Sequence, residues 1–348
     1  MPELSIIIPT YNESRNIPIL IHRLEDMNID HQIVVVDDNS PDGTSNVVEK
    51  LAAKYTNIVL VKREGKLGIA TAIRDGMLAS SSKYVVVMDS DLQHPPEVVP
   101  RILRELKKGK DVAIASRYIR GGKSDFSFSR GMISKVATLL AHINLQETEG
   151  IKDPMSGFFG FKRDIIEPEQ IKSNGYKVLL EVLVASGTRN VVEVPYRFNK
   201  RAAGKSKFGI KEFIRYLKLL LNLSDYLMVK FLVVGISGAI LNLLMMKLIV
   251  GGFHDPLYMG AILALEASIV SNFILNNYWT YRRRRSSGSV LRKYARYNMM
   301  SSLGSAIYFA MIFLLTAFSV NYMLATGIGI LASFSTNFGG SQGVVWHL

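Results

Sequence analysis

The chain has 348 residues, 48% of them apolar, no cysteine and a formal net charge of +13. The missing cysteines exclude disulfides and thiolate catalysis. The length leaves room for more than one domain, and the charge suits either an anionic membrane surface or nucleic acid. The apolar excess lies beyond residue 213, and the densest basic run, Arg282 to Arg285, abuts an apolar segment instead of forming a basic domain. That placement favours membrane lipids as partner and argues against nucleic acid. The opening stretch MPELSIIIPTYNES has no basic region and reads as a strand entering a loop, not as a signal peptide.

Up to about residue 210 the pattern is a βα repeat. Short apolar runs at Leu4 to Ile8, Gln32 to Val36, Ile58 to Val61, Tyr84 to Met88 and Val112 to Ala115 read as buried strands, each followed by turn residues and a helical period. A mostly parallel sheet covered on both faces is expected. The stretch from Gly121 to Arg130 has no regular period and reads as a loop. A helix follows to His142, then the turn-rich segment Asp153 to Phe158 and an apolar run from Phe159 to Phe161. Helical character returns from Tyr176 to Ala185, and Asn190 to Pro195 is a further strand.

Polar side chains gather after the first, second and fourth strands, at the edge of an open α/β sheet where ligands bind. The central stretch is YVVVMDSDLQHPPE, where a strand ends in Asp89, Ser90 and Asp91, followed by Gln93 and His94. Two carboxylates one residue apart suit a hard divalent ion that keeps positions open for substrate phosphates, although Asp-Ser-Asp also serves as a plain loop cap. Neither the dinucleotide motif GxGxxG nor the P-loop GxxxxGK[ST] follows a strand here. Pro9, Tyr11 and Glu13, with Asp37 and Asp38, are better placed for a base and ribose. The basic, glycine-containing stretch Arg201 to Phe208 suits a phosphate-gripping loop or a solvated linker.

Residues 211–225 form a basic amphipathic pattern, interfacial or simply a surface helix. Four apolar segments follow, at about 228–250, 257–279, 297–317 and 321–345, each long enough for about 30 Å of hydrocarbon. Arg282 to Arg285, Arg292, Lys293 and Arg296 lie between the second and third, so the positive-inside rule puts the first 210 residues and both termini in the cytoplasm. Ser271-Asn272-Phe273 is echoed by Thr336-Asn337-Phe338, with tryptophans following at 279 and 346, a faint internal repeat. Glu266 near mid-span is expected to face the bundle or a polar path. Asn242, Asn272, Asn276, Asn277 and Gln342 read as glue between helices.

Seven motifs in order, IIIPTYNE (6–13), VVVDDNSPDGT (34–44), Arg63 to Ala72, MDSDLQHPPE (88–97), SRYIRGG (116–122), DPMSGF (153–158) and RAAGKSKF (201–208), resemble the family-2 inverting glycosyltransferases, most closely the dolichyl-phosphate (polyprenyl-phosphate) mannose synthases. Residues 226–348 resemble the four-span membrane domain that some members carry. The resemblance implies a Rossmann-like, GT-A type α/β domain over 1–210, an interfacial helix over 211–225, and an all-α four-helix transmembrane domain over 226–348. It also implies a cell-membrane, multi-pass protein.

The implied activity is inverting, metal-dependent transfer of mannose from GDP-mannose to dolichyl or polyprenyl phosphate. The alternatives are a UDP-glucose-dependent polyprenyl-phosphate glucosyltransferase and a non-catalytic flippase subunit for lipid-linked sugar. By resemblance, Pro9, Tyr11, Glu13, Val36 and Asp38 form the nucleoside pocket, and Asp89, Asp91 and Gln93 hold Mg²⁺ or Mn²⁺, with Ser90 beside them. Arg117, Arg201 and Lys207 face the donor diphosphate, and Arg117, Arg130, Lys135 and Lys205 the acceptor phosphate. Asp89, Asp91 and Arg117 are the expected catalytic residues. A lipid phosphate is already an anionic nucleophile, so no strong general base is expected, and His94 reads as structural.

Overall fold

The computed structural model describes residues 2–124, 128–172, 175, 177–198, 210–252, 257–282 and 289–346. The chain divides into two compact units, Met1–Leu223 and Ser224–Leu348.

The first unit alternates strands and helices: β1 (Leu4–Thr10), α1 (Ile17–Glu25), β2 (His31–Asp37), α2 (Thr44–Ala52), β3 (Ile58–Lys62), α3 (Ile69–Leu78), β4 (Tyr84–Val87), α4 (Val99–Lys107), β5 (Val112–Ser116), β6 (Lys123–Ser124), α5 (Phe128–Asn144), β7 (Phe159–Lys162), α6 (Val178–Ser186), β8 (Val191–Pro195), β9 (Arg197–Phe198) and α7 (Ile210–Leu223). The main sheet has the order β3-β2-β1-β4-β7-β5-β8. All its neighbours are parallel except β7, which runs antiparallel to both β4 and β5.

The period-2 alternation of β1 builds both layers of the core. Ile6 and Ile8 face one side with Leu20 and Leu24 of α1 and Ile102 and Leu106 of α4. Ile7 faces the other with Val34, Val36, Ile73 and Met77. Each is fully buried, which stabilises the fold by roughly 2 kcal/mol per side chain. In α4 the buried residues Val99, Ile102, Leu103 and Leu106 fall at helical spacing and leave the charged residues outside. Two glycines set how closely the layers approach. A Cβ on Gly76 would lie 2.6 Å from Cγ2 of Ile7, and one on Gly160 would lie 2.6 Å from Cγ2 of Ile102.

Two loop expectations change. Lys123 and Ser124, read as irregular, pair with Arg197 and Phe198 in a second small sheet. Helix α5 begins at Phe128, so Arg130 is helical instead of lying in a loop. Helix α7 buries Tyr216 and Leu220 in a cluster with Ala141 and Leu145, and the Tyr216 hydroxyl donates to the Ala137 carbonyl at 2.5 Å. The inner face of the basic amphipathic segment is thus covered by α5, while Ile214 and Arg215 remain exposed.

The second unit contains four long helices among the described residues: α8 (Leu227–Met246), α9 (Leu257–Leu275), α10 (Val290–Ala317) and α11 (Tyr322–Gly340). Leu227–Ile249 and Val290–Ala317 are long and apolar enough to cross a membrane. Helices α9 and α11 each run on into a π-helical turn, Asn276–Thr280 and Ser341–Val345.

The internal repeat is visible in the packing. Asn272 of α9 fills the space beside Gly238 of α8, and Asn337 of α11 does the same beside Gly304 of α10. The aromatic counterpart of Trp346 is Tyr281, not Trp279 as the sequence suggested, and the two rings stack 4.2 Å apart with an interplanar angle of 8°. Glu266 of α9 is exposed and accepts a hydrogen bond from the Tyr294 hydroxyl of α10.

Candidate active site

Of the expected residues, Pro9, Tyr11, Glu13, Val36, Asp38, Asp89, Ser90, Asp91, Gln93 and Arg117 lie at or just beyond the C-terminal ends of β1, β2, β4 and β5. Pro9 lies just beyond the β1–β4 pairing, which ends at Ile7 and Val87. Its missing N–H therefore interrupts no ladder bond on that side. The next loop is fastened to the loop after β2: Asn12 N donates to Ser40 Oγ at 2.9 Å, Glu13 N to Thr44 Oγ1 at 3.0 Å and Ser14 N to Asp42 Oδ2 at 3.0 Å. Glu13 accepts from Asn16 at 2.7 Å, and the Lys66 ammonium sits 4.1 Å from the centroid of the Tyr11 ring.

The adjacent Asp37 and Asp38 do different work. Asp37 is fully buried and accepts from the hydroxyls of Ser40 and Ser45, both at 2.5 Å, so it holds the loop. Asp38 is gripped by Arg63 at 2.5 Å, and Arg63 also reaches Asp75 at 3.1 Å and Thr71 at 2.5 Å. Arg63 itself is 8% exposed, so this is a buried charge network that fixes where Asp38 stands. Val36 is fully buried with its side chain in the core against α3, which leaves only its main chain to the site.

After β4 the chain turns sharply, because Leu92 is left-handed at φ 63°. Asp91 is buried and its Oδ1 accepts from the Gln93 N–H at 3.1 Å, while Ser90 Oγ approaches the Pro9 carbonyl at 3.4 Å. Asp89 has a side chain 47% exposed. His94, read as structural, is the keystone of this turn. Its Nδ1 accepts the Asp89 N–H at 3.0 Å, and its ring stacks on Phe158 at 5.1 Å and meets Tyr196 and Phe198 edge-on. Burial pushes the imidazole down to about 4, with the Arg117 charge acting in the same direction and Asp91 against it. His94 is therefore neutral near pH 7, with its proton on Nε2.

Arg117, at the end of β5, is fastened to Asp153. Nε donates to Oδ2 at 2.8 Å, Nη2 to Oδ1 at 2.7 Å, and the main-chain N to Oδ2 at 3.0 Å. Asp153 is fully buried. Desolvation works most strongly against the charge of Arg117, but the hydrogen bonds and the negative charge of Asp153, with smaller contributions from Tyr196 and Tyr118, together outweigh it and hold the guanidinium above its ordinary range. Sequence reasoning placed Asp153 in a turn without a role. Its signal was an acid in a turn-rich loop, and its partner lies 36 residues away.

Lys135 is exposed on α5. Arg130 lies in the same helix, with its side chain outside the described residues. Arg201, Lys205 and Lys207 also lie outside the described residues. Among the described residues, no group of three or more His, Asp or Glu side chains is arranged as a metal site. The donor chemistry of Asp89, Asp91 and Gln93, two carboxylates and an amide, is all hard oxygen. It suits Mg²⁺ or Mn²⁺ in a site that shares the ion with phosphates.

The description "Glycosyl transferase family 2" matches residues 5–168, and "GtrA/DPMS, transmembrane domain" matches residues 230–346. The dolichol-phosphate mannosyltransferase of Pyrococcus furiosus is 36% identical over 352 residues, covering 99% of this chain and 99% of that protein. The chain belongs to the dolichol-phosphate mannosyltransferase family. The Saccharomyces cerevisiae protein of that name is 34% identical over 63% of this chain and 85% of its own length. A mycobacterial protein of known crystal structure, 21% identical, superposes with a TM-score of 0.50 over 64% of this chain and 75% of its own, a likeness of fold alone. As a family member the chain is a glycosyltransferase with a GT-A-like sheet and an apolar helical membrane region.

Proposed function

We propose that the first unit transfers mannose from GDP-mannose to the phosphate of a dolichyl or polyprenyl lipid with inversion, releasing GDP. The observation that carries this reading is the end-to-end match to a dolichol-phosphate mannosyltransferase, with the Asp89–Gln93 turn built at the sheet edge. In this reading Pro9, Tyr11, Glu13, the Val36 main chain and Asp38 hold the nucleoside. Asp89, Asp91 and Gln93, with Ser90 beside them, hold Mg²⁺ or Mn²⁺. The ion, when bound, supplies charge stabilisation to the departing diphosphate.

Arg117 orients the phosphates, and the basic residues Arg201 and Lys207 on the donor side and Arg130, Lys135 and Lys205 on the acceptor side add the net positive charge. Asp153 already balances Arg117, so the lysines and the other arginines matter for charge. The acceptor phosphate attacks the anomeric carbon directly, and the neutral His94 takes no proton.

The lipid side rests on helix α5, whose Met132, Val136 and Leu139 are exposed at helical spacing beside Lys135. Together with Ile214 and Arg215 of α7 they present apolar and basic side chains of the kind that sit at a bilayer surface. We assign residues 1–210 to catalysis, 211–225 to the interface and 226–348 to a four-span region, with the catalytic unit and both termini cytoplasmic. The basic residues Arg282, Arg292, Lys293 and Arg296, between the second and third long helices, favour that orientation.

The test is radiolabelled transfer to short-chain polyprenyl phosphate from GDP-mannose and UDP-glucose, with Mn²⁺ or with a chelator. GDP-mannose with metal is the expected productive pair. Transfer from UDP-glucose alone would overturn the donor, and undiminished transfer under chelation would overturn the metal.

A further inference from the structure

Strand β8 carries one carboxylate, Glu193, in the middle of the run VVEVP. Val192 and Val194 pack with the core layer that contains Ile6 and Ile8, and Val191 with the layer that contains Ile7. By alternation Glu193 stands on the side of Val191, paired in register with Ile114 of β5. β8 is an edge of the sheet, where a charge often serves only to discourage pairing with another chain. Glu193 has a more specific task. Its Oε2 accepts the Lys152 N–H at 2.9 Å, and its Oε1 accepts the Asp153 N–H at 3.0 Å. One carboxylate thus closes on two successive main-chain amides, 41 and 40 residues away in the chain. Hydrogen bonds to an ionised acceptor are roughly twice as strong as neutral ones.

The amides held in this way adjoin the side chain that fixes Arg117. Asp153 is fully buried and takes three hydrogen bonds from Arg117, two from the guanidinium and one from the main chain. A two-pronged arginine–carboxylate pair is sensitive to placement, because both prongs must line up at once. Beyond Asp153 the loop is tied to β5, since Ser156 Oγ donates to the Ala115 carbonyl at 2.7 Å. At Lys152 and Asp153 it is tied to β8 through Glu193. Arg117 directly follows β5, so both anchors bear on one guanidinium.

We propose that Glu193 is a positioning residue for the transfer reaction. It holds the Lys152 and Asp153 amides, and through the Asp153 carboxylate it aims the Arg117 guanidinium at the phosphates of the nucleotide. Glu193 itself touches no substrate. The inference rests on the reading of Arg117 as the phosphate-orienting residue. A misplacement of about 1 Å at such a group costs on the order of a hundredfold in rate. A mere brace for the fold would act differently: its loss would lower the number of folded molecules and leave each folded one binding nucleotide normally.

The test is calorimetric titration of full-length protein in detergent with GDP and Mn²⁺. The variants are Glu193→Gln, Glu193→Ala, Arg117→Lys and the combination Arg117→Lys/Glu193→Gln. If the transfer assay assigns UDP-glucose as donor, UDP replaces GDP and the comparison is unchanged. Stoichiometry counts folded molecules and Kd reads the site, so the two roles separate. Glu193→Gln keeps one oxygen acceptor and should weaken binding about fivefold, and Glu193→Ala about tenfold, each at unchanged stoichiometry. Arg117→Lys keeps the charge, loses the fork and should also weaken binding about tenfold. In the combined variant the Glu193 change should add less than about twofold, because its path runs through the fork already lost. Losses that multiply would overturn the inference and leave the role of Arg117 intact. Unchanged Kd with lowered stoichiometry in the Glu193 variants would overturn it as well. Unchanged Kd in Arg117→Lys would overturn the role of Arg117, and the inference with it. Should Glu193→Ala not fold, Glu193→Gln and the combined variant decide.

Discussion

The Asp89 N–H and Nδ1 of His94, 3.0 Å apart, join the two ends of the turn that carries Asp89, Asp91 and Gln93. An acceptor at that position needs a lone pair, so the bond exists only while the imidazole is neutral. His94→Leu removes the acceptor and leaves a main-chain donor unpaired, worth about 1–3 kcal/mol, or roughly tenfold to a hundredfold in ordering the turn. The expected result is a fall of that size in transfer and in apparent affinity for Mn²⁺. His94→Asn, which restores an acceptor, should recover part of both. Steady-state kinetics across a metal titration distinguish this from a general loss of folding.

The same residue gives stability a pH dependence. The folded value is about 4 against the ordinary 6.5, so between these limits the unfolded chain binds a proton that the native chain does not. Above pH 6.5 both forms are neutral and the contribution is flat. As pH falls from 6.5 toward 4, stability is lost, by about 3 kcal/mol at most. Denaturant unfolding of metal-free protein at pH 7 and pH 4.5 should show this loss, and His94→Asn should reduce it. An equal loss in the variant would assign the effect to other groups.

The Arg117–Asp153 pair makes a prediction that separates stability from chemistry. Asp153→Ala strands a buried guanidinium and should cost about 3–5 kcal/mol in unfolding free energy. Replacing both partners, Arg117→Met with Asp153→Leu, should regain most of that stability while transfer stays at least a hundredfold down. Recovery of transfer in the double variant would show that Arg117 only supports the fold.

Asp89 and Asp91 differ in burial, so their variants should differ too. Asp89→Asn keeps the turn, since the half-exposed side chain is not what binds Gln93, and should abolish transfer with unfolding unchanged within about 0.5 kcal/mol. Asp91→Ala removes the acceptor of the Gln93 N–H and should lose both transfer and about 1 kcal/mol of stability. Full transfer by either variant would remove the pair from the mechanism.

A buried parallel strand is a continuous apolar run, and β1, β2, β4 and β5 were legible for that reason. The strand β7 was not. Four residues, Phe159 to Lys162, carry no sign of direction, and the gap they fill is set by β4 and β5. Carboxylates at strand ends were legible as a group because Asp and Ser close strands. Their division of labour was not, because it depends on distant partners: Arg63 for Asp38, His94 for the Asp89 main chain, and Asp153 for Arg117. In the second unit the asparagine echo was legible, whereas the pairing of Tyr281 with Trp346 follows from packing two unlike rings at equivalent places.

Strand β7 also sets an order of assembly. Until it arrives, β4 and β5 are both open edges, since neither pairs with the other. On the ribosome, the sheet therefore waits for Phe159 to Lys162 to emerge, with Val85, Val86 and Ile114 lying beside unpaired backbone in the meantime. Gly160 lets this strand lie close against Ile102 of α4, where a Cβ would come within 2.6 Å of the Ile102 Cγ2. A bulkier residue there would stall synthesis-coupled folding at a half-built sheet, and its first symptom would be aggregation of nascent chains, not a weakened enzyme.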